Sequence, residues 1–252
     1  MKGKRLVRFQ AIFFDLFNTL LHFDFSLLPQ VEFQGQLLPT TSVEVYRQLS
    51  ESRDPSFPYS RFLEEFQESL EIVTQLRNQE HREFSCLDRF QILCKRLNVQ
   101  DKSVAEFIVK VHMDELFRTM HFPDHKKALL DQLPPIPLVL VSNFDHALTV
   151  RRALREFGLE ERFEAIFISD EVGWRKPGDE FFNVVLKTTG YSPQQCLYVG
   201  DDPEADVYGA TRQGFQVAWL VENRPPEDSP VQPKWTIRDL SQILEIVEET
   251  DS

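Results

Sequence analysis

Residues 11–20 have the sequence AIFFDLFNTL, in which four apolar residues are followed directly by the carboxylate of Asp15. A short apolar run bounded by polar residues is typical of a strand that is buried in a sheet. Asp15 would then stand at the carboxyl end of that strand, which is the edge where open α/β sheets bind their ligands. Because a carboxylate is costly to bury without a cation or hydrogen-bond donors, this stretch predicts a charged partner nearby.

The second half of the chain alternates apolar runs with helical patterns. Short apolar runs predict strands over 138–141, 165–168, 196–199 and 216–221. Apolar spacing and the flanking glycines and prolines predict helices over about 126–133, 145–157, 179–189, 203–213 and 237–247, with a surface loop over 222–234. Strands that alternate with helices indicate an α/β fold built on a Rossmann-like, doubly wound parallel sheet.

The segment between these two regions has a different pattern. Apolar and aromatic residues recur at helical spacing from about residue 42 to 111, and a weak hairpin signal surrounds Gln34-Gly35. We therefore expect residues 23–122 to form a mainly helical unit with one small hairpin, in which the aromatic side chains pack against one another.

The charge balance limits the partners of the protein. Its 252 residues carry a formal net charge of −12 at pH 7, which disfavours nucleic acid and anionic membranes as partners. Anionic small molecules are still possible substrates, provided that a local cation receives them. The sequence leaves the oligomeric state open between a monomer and a homodimer.

Cysteine usage and the amino terminus bear on location. Cys86, Cys94 and Cys196 are few, odd in number and without metal-ligand spacing, which favours a reducing compartment. Basic residues precede the first apolar stretch, but Asp15 interrupts that stretch too early for a signal peptide. No apolar run is long enough to span a bilayer. We therefore expect a cytoplasmic protein.

Polar side chains follow three of the predicted strands. Asp15, Ser142 and the pair Asp201-Asp202 each come directly after an apolar run, and Lys176 lies in the loop before a helix. Because the carboxyl ends of parallel strands meet at one edge of a sheet, we expect these groups to lie close together. Carboxylates around a hard divalent cation suit Mg²⁺, and a lysine and a hydroxyl suit a phosphoryl group. An anchored carboxylate can itself attack phosphorus to form an aspartyl-phosphate.

These motifs resemble those of the haloacid dehalogenase (HAD) superfamily of hydrolases. Four motifs occur in the order of that superfamily: DLFNTL at 15–20, Ser142-Asn143, Lys176 before Pro177, and GDDPEAD at 200–206. A single motif is weak, since a carboxylate after an apolar run is common, whereas four in order are specific. The resemblance implies a Rossmann-like HAD hydrolase core formed by 1–22 and 123–252, with 23–122 inserted after the first motif as a helical cap.

The resemblance also implies roles for particular residues. Asp15 would be the nucleophile and, with Asp201 and the backbone carbonyl of Phe17, a ligand of Mg²⁺. Ser142 and Lys176 would hold the phosphoryl group, and Lys176 would also screen the carboxylates. Two further aspartates would orient the metal shell, namely Asp202 and Asp206. The substrate implied is a small phosphorylated metabolite.

Phe17 departs from the pattern of the superfamily's phosphatases. They usually carry a second aspartate at this position, which protonates the leaving group and later activates water, and such catalysis contributes roughly 10²–10⁴-fold. The superfamily's dehalogenases also lack that aspartate, often have an aromatic residue there and use no Mg²⁺. Phe17 therefore predicts poor activity on alkyl phosphates and better activity on aryl phosphates, whose leaving groups need less protonation.

Three functions are compatible with the sequence. The first is a Mg²⁺-dependent phosphatase that acts through Asp15, and the carboxylates at 200–206 favour it. The second is a 2-haloacid dehalogenase-like hydrolase, and the third is a catalytically weak protein that keeps the HAD fold for binding. The choice of substrate depends on the cap, whose residues match no specificity signature.

A few further residues are candidates for the site. His22 and His146 are the candidates to replace the missing acid. Asn143 either contacts the substrate or caps the helix that follows it. Trp174 and Arg175 either line the pocket or have ordinary packing and surface roles.

Overall fold

The computed structural model describes residues 8–53, 55–222 and 231–248. The basic residues at 2–5 lie outside these ranges, as do residues 223–230 of the predicted surface loop 222–234. Among the described helices, none combines the length and the apolar character that a membrane span requires.

A six-stranded parallel sheet organises the molecule, which confirms the predicted parallel α/β sheet and adds one strand to the five that the sequence predicts. Its strands stand in the order β10-β9-β8-β1-β6-β7, so β1 lies in the middle. Phe14, the last residue of β1, lies opposite Leu140 on one side and Val199 on the other. The strands are β1 (Ala11–Phe14), β6 (Leu138–Ser142), β7 (Ala165–Ile168), β8 (Cys196–Gly200), β9 (Gln216–Leu220) and β10 (Trp235–Ile237).

Helices cover both faces of this sheet. Ile12 and Phe14 of β1 contribute to a hydrophobic core on one face, and Ala11 and Phe13 contribute to a separate core on the other. All four residues are buried because successive side chains of a strand point to opposite faces. The helices are α5 (Asp124–Gln132), α6 (Ala147–Glu156), α7 (Ser169–Val172), α8 (Asp179–Thr189), α9 (Gly209–Arg212) and α10 (Ile243–Val247).

Two predicted helices differ in the structure. The segment 203–213 is a π-helix (Pro203–Tyr208) that continues into α9. The predicted helix 237–247 is wrong at its start, because Ile237 ends strand β10 and pairs with Leu220 at the sheet edge. Short 3-10 turns complete the chain at Phe25–Leu27, Glu160–Arg162, Pro193–Gln195 and Leu240–Gln242.

The residues between β1 and β6 contain the predicted hairpin and four long helices. β3 (Gln30–Phe33) and β4 (Gln36–Pro39) pair antiparallel around Gln34-Gly35. The helices are α1 (Ser42–Arg53), α2 (Tyr59–Glu80), α3 (Cys86–Arg96) and α4 (Lys102–Thr119), which share a third hydrophobic core. Two short strands, β2 (His22–Phe23) and β5 (Met120–His121), pair antiparallel where the chain enters and leaves this region.

Candidate active site

The carboxyl ends of β1, β6 and β8 bring the sequence motifs together. The backbone amide of Asp15 donates to the carbonyl of Val199 at 2.9 Å, which continues the pairing of β1 and β8 by one residue. Asp15 and Ser142 are both buried at this edge. The expectation that the strand ends would meet at one edge of the sheet is therefore confirmed.

Three carboxylates converge at this edge. Asp15, Asp201 and Asp206 each present one oxygen, and these oxygens all lie within 4.8 Å of one another. The ammonium of Lys176 lies 2.7 Å from an oxygen of Asp15 and 2.7 Å from an oxygen of Asp206. This buried lysine thus offsets part of the repulsion between the carboxylates, which is the screening that the resemblance to the superfamily implies.

Burial and charge shift the acidities of this cluster. Burial is the main reason that the pKa of Asp15 is raised to about 7. The ammonium of Lys176 opposes this shift, and the carboxylate of Asp206 adds to it. Burial alone would lower the pKa of Lys176, but the two neighbouring carboxylates outweigh it and raise that pKa well above its ordinary value. The cluster therefore has more negative charge than its one ammonium stabilises, and this environment favours a further cation.

Tyr198 is a member of this cluster that the sequence analysis missed. Its hydroxyl donates to Asp206 at 2.8 Å and receives a hydrogen bond from Lys176 at 3.1 Å. Tyr198 lies within the apolar run of β8, so the sequence indicated only a buried strand residue. Alternation along a strand indicates which face of the sheet a side chain points to, but not that its hydroxyl joins the acidic cluster. Burial is the main reason that the pKa of Tyr198 is raised, and the charge of Asp206 raises it further. The phenol therefore stays protonated and can donate a hydrogen bond.

The two aspartates that follow Asp201 have different surroundings. Asp206 is buried, and its second oxygen accepts the backbone amide of Asp202 at 3.0 Å. A Cβ at Gly200 would lie 2.4 Å from that carboxylate, so only glycine fits there. Asp202 instead accepts the amides of Glu204 and Ala205 at 2.8 and 2.7 Å, and thereby caps the π-helix.

Two buried hydroxyls at this edge lack partners. Among the residues that the structure describes, nothing hydrogen-bonds to the hydroxyl oxygen of Ser142 or of Thr19. An unsatisfied buried polar group costs about 1–3 kcal/mol, so such groups tend to have a function. The free hydroxyl of Ser142 is available to a ligand that binds beside Asp15.

Asn143 is paired with the backbone of Lys176. Its amide nitrogen donates to the carbonyl of Lys176 at 2.9 Å, and its oxygen accepts the amide of Lys176 at 2.9 Å. The carboxamide also lines a cleft of about 140 Å³ with Lys176, Arg77 and Arg175. The reciprocal pair favours a role in positioning Lys176 over direct contact with a substrate.

The side chain of Phe17 is held among other aromatic rings. Its ring centroid lies 4.8 Å from that of Phe23 and 4.7 Å from that of Phe144. Phe144 follows β6 and also packs against the third core. The position where related phosphatases have an acid is therefore part of an aromatic cluster.

The other candidate residues have structural partners. His22 contacts the ammonium of buried Lys126 at 2.7 Å, and His146 contacts the hydroxyl of Thr149 at 2.8 Å. Arg175 forms an ion pair with Glu83 at 3.3 Å. Neither histidine is brought to Asp15 by these contacts, and Trp174 packs against the second core.

The fold and this cluster of motifs define a hydrolase class. The family model of the haloacid dehalogenase-like hydrolases matches residues 9–214, and the chain belongs to this family. The match includes all four motifs that the sequence analysis quoted.

Several curated relatives of the chain are phosphatases or a nucleotidase by name. It is 34% identical over 94 residues to the phosphoserine phosphatase of Thermus thermophilus, an alignment that spans 37% of this chain and only 38% of that enzyme. It is 27% identical to the pyrimidine 5′-nucleotidase YjjG of Escherichia coli over 63% of this chain and 69% of that enzyme. A glyceraldehyde 3-phosphate phosphatase of Methanothermobacter thermautotrophicus is 25% identical over 94% of this chain and 99% of that enzyme.

Solved structures share the fold over nearly the whole chain. The 2-haloacid dehalogenase of Pseudomonas syringae has a TM-score of 0.67 at 19% identity, with 94% of this chain and 97% of that chain covered. The HAD-hydrolase YfnB of Bacillus subtilis, determined bound to magnesium, has a TM-score of 0.63 at 21% identity, with 95% and 99% covered. At these identities the likeness shows the fold.

Proposed function

We propose that the protein is a Mg²⁺-dependent phosphatase of small phosphorylated metabolites that forms an aspartyl-phosphate on Asp15. The observation that carries this proposal is the convergence of Asp15, Asp201 and Asp206 around one lysine. An all-oxygen donor set of this kind suits Mg²⁺, which binds through one or two carboxylates together with water and substrate phosphate. Phosphatases among the curated relatives support the choice of substrate class.

The residues divide the work of phosphoryl transfer. Asp15 attacks phosphorus to form the aspartyl-phosphate while the ester P–O bond breaks and the alcohol or phenol leaves with a proton from solvent; water then hydrolyses the aspartyl-phosphate and releases phosphate. Lys176 and the unpartnered hydroxyl of Ser142 donate hydrogen bonds to the phosphoryl oxygens. Asp15, Asp201 and the backbone carbonyl of Phe17 would hold Mg²⁺, which would supply positive charge to the phosphoryl group. Asp206 positions Lys176, and we assign Asp202 to holding the π-helix loop that carries Asp201.

A dehalogenase is the second candidate, and Phe17 is the observation that favours it. An aromatic ring replaces the proton donor that alcohol leaving groups need, whereas a halide leaves without a proton. The acidic trio argues against this candidate, because a metal-free displacement at carbon gains nothing from three converging carboxylates. Halide release from a 2-haloacid that survives EDTA would favour the dehalogenase.

The function is tested by hydrolysis of p-nitrophenyl phosphate with Mg²⁺ and with EDTA. We expect activity that requires Mg²⁺ and falls on the order of 10³-fold or more in Asp15→Asn, because the nucleophile is lost. Asp179→Asn is the matched control, since that carboxylate pairs with Arg212 on the exposed surface. Full activity of Asp15→Asn would overturn the proposed mechanism.

We further propose that residues 23–122 act as the cap of the hydrolase core 1–22 and 123–252. Cap closure would exclude water from the site and select the substrate. The cysteine usage supports a cytoplasmic protein, and the oligomeric state is open between a monomer and a homodimer. Cell fractionation and light scattering test these two expectations.

A further inference from the structure

A second cavity lies within the inserted region, apart from the acidic site. Its volume is about 180 Å³, and all the residues that line it belong to 25–116. One side is apolar and includes Phe25, Leu28, Leu70 and Leu116. Since an apolar cavity of about 150 Å³ holds a benzene molecule, this cavity is large enough for a small aromatic or branched ligand.

The other side of the cavity carries a buried cation, the guanidinium of Arg89. The residue is only 4% exposed, and it donates to the carbonyl of Phe66 at 3.1 Å and to the hydroxyl of Ser69 at 3.4 Å. Its guanidinium carbon lies 4.5 Å from the ring of Phe66 and 4.8 Å from the ring of Phe90. Within the described chain, Nε and Nη2 of Arg89 make these two hydrogen bonds, and no carboxylate lies within ion-pair distance of its guanidinium.

An unpaired buried charge of this kind is costly. Burial is the main reason that the pKa of Arg89 is lowered to about 10, and Arg77 lowers it further. Cys86 and Asp145 offset only part of this shift, and no described carboxylate forms an ion pair with Arg89. Buried charges in proteins are paired or bind a ligand, because the desolvation penalty is several kcal/mol per ion. The position of Arg89 on the cavity wall therefore points to an anion from outside the chain.

His112 and Thr41 give the cavity a neutral polar side. The two side chains are both buried and lie 2.6 Å apart, from the hydroxyl of Thr41 to Nδ1 of His112. Burial, and next the charge of Arg89, lower the pKa of His112 well below its ordinary value, so the imidazole is neutral. Arg89 is then the single formal charge among the residues that line the cavity.

We propose that this cavity is a binding site for a small organic monocarboxylate with an apolar body. A carboxylate matches the planar hydrogen-bond donors of one guanidinium, and its single negative charge neutralises the single positive charge of Arg89. A phosphate dianion would leave one negative charge buried without a partner. Phe25 and Leu70 at the cavity are 46% and 38% exposed, and the apolar body of the ligand would cover them.

The binding site is distinct from the acidic site and does not depend on the proposed phosphatase activity. Phe25 stacks on Phe23 at 5.2 Å, and Phe23 stacks on Phe17, so an aromatic column connects the two sites. A ligand in the cavity would contact the far end of this column. Calorimetry measures ligand binding directly, so its result does not depend on whether the protein hydrolyses phosphate esters.

The test measures binding of phenylacetate to the full chain by calorimetry. We expect the Kd to rise about 30-fold or more in Arg89→Met, because removal of one partner of a buried charge pair costs about 2 kcal/mol or more. Arg96→Met is the matched control on the same helix, since Arg96 pairs with Glu65 at the surface, and it should bind as the unmodified chain does. Asp15→Asn should also bind phenylacetate unchanged.

Two further measurements keep the test decisive. Leu70→Trp fills the cavity from a half-exposed helix position and should abolish binding without altering Arg89. Phenylacetamide, which has the same shape without the charge, should bind at least about tenfold more weakly. Equal binding of phenylacetate by Arg89→Met or by Leu70→Trp, no binding by the unmodified chain, or preference of Arg89 for inorganic phosphate would overturn the proposal.

Discussion

At the scale of single residues, Phe17 shows how one side chain changes the chemistry open to a site. Its ring packs between Phe23 and Phe144, while its backbone follows the strand that carries Asp15. The aromatic contacts stabilise the loop after β1, but the side chain moves no protons. The site therefore keeps its charged groups and lacks the acid at the position where the superfamily's phosphatases carry it.

Substitution of Phe17 tests this interpretation. We expect Phe17→Asp to raise the hydrolysis of alkyl phosphates by about 10²-fold, which is the low end of the roughly 10²–10⁴-fold that general acid–base catalysis contributes. The same change should lower the melting temperature, because the stacked ring is lost. Phe17→Leu is the control that removes the ring without adding an acid. An equal rate for both variants on an alkyl phosphate would show that position 17 does not limit proton transfer.

His22 predicts a pH dependence of stability. Burial first, and then the ammonium of Lys126, lower the pKa of His22 to about 4, so the imidazole is neutral in the folded state at pH 7. The unfolded chain binds a proton at about 6.5, so the folded state loses stability as the pH falls from about 6.5 to about 4. Glu222 opposes this shift, and His121 and His125 add to it.

The matched variant for this prediction is His22→Gln, which keeps an acceptor for Lys126 and does not titrate. We expect the unfolding free energy of His22→Gln minus that of the unmodified chain to be constant above about pH 7. This difference should increase as the pH falls from about 6.5 to about 4, because only the unmodified chain loses stability there through His22. Urea unfolding at several pH values measures this difference. A relative stability that stays flat over the acid range would contradict the shift.

At the scale of elements, the segment between α2 and α3 connects the inserted helices to the sheet region. The amide of Glu83 donates to the carbonyl of Gly173 at 3.0 Å, and the amide of Arg175 donates to the carbonyl of His81 at 2.9 Å. Lys176 follows directly, so this backbone pairing helps to hold the lysine of the acidic site.

A buried ion cluster reinforces the same junction. The carboxylate of Glu83 lies 2.8 Å from Arg77 and 3.3 Å from Arg175, and it accepts the hydroxyl of Ser169 at 2.5 Å. Asp145 adds a second ion pair to Arg77 at 2.9 Å. The side chain of Glu83 is 2% exposed, so solvent screens this cluster little.

Loss of the Glu83 charge should destabilise the protein. We expect Glu83→Gln to cost about 3 kcal/mol, because the buried guanidinium of Arg77 and the partly buried guanidinium of Arg175 lose a partner. Glu171→Gln is the surface control, since Glu171 pairs with Arg151 in solvent and such pairs contribute about 0–1 kcal/mol. Chemical denaturation measures both, and similar losses for the two variants would show that the buried cluster adds nothing beyond a surface pair.

At the scale of the whole molecule, three hydrophobic cores share the chain. Two of them lie on the faces of the parallel sheet, and the third lies among α1–α4. The first and third share no fully buried member, although Phe144 packs against both. This arrangement predicts that the third core can loosen while the sheet persists.

Truncation of a residue at the centre of the third core tests this prediction. Phe90 is fully buried there, and Phe90→Ala should cost about 3–5 kcal/mol. We expect hydrogen exchange to speed up over α1–α4 more than over β1, β6 and β8, as local unfolding would require. A uniform increase over all these elements would show instead that the chain unfolds as one cooperative unit.

The sequence alone determined the parallel α/β sheet and the residues at its carboxyl edge. Apolar runs such as 11–14 and 196–199 decide where strands form, and the polar residue after each run marks the edge. Within the parallel sheet it missed β10, whose three residues carry too short a pattern to separate them from the helix that follows, and it also missed the two-residue strands β2 and β5.

Only the tertiary structure determined which hydrogen-bond and ion-pair partners the polar side chains have. In the folded protein, Asp206 contacts Lys176 and Tyr198, and Asp202 caps the π-helix. Asn143 binds the backbone of Lys176, which lies 33 residues away in the chain. The tertiary structure likewise leaves Arg89 buried without a carboxylate. Local patterns specify elements, whereas hydrogen bonds and ion pairs between distant residues depend on how those elements pack.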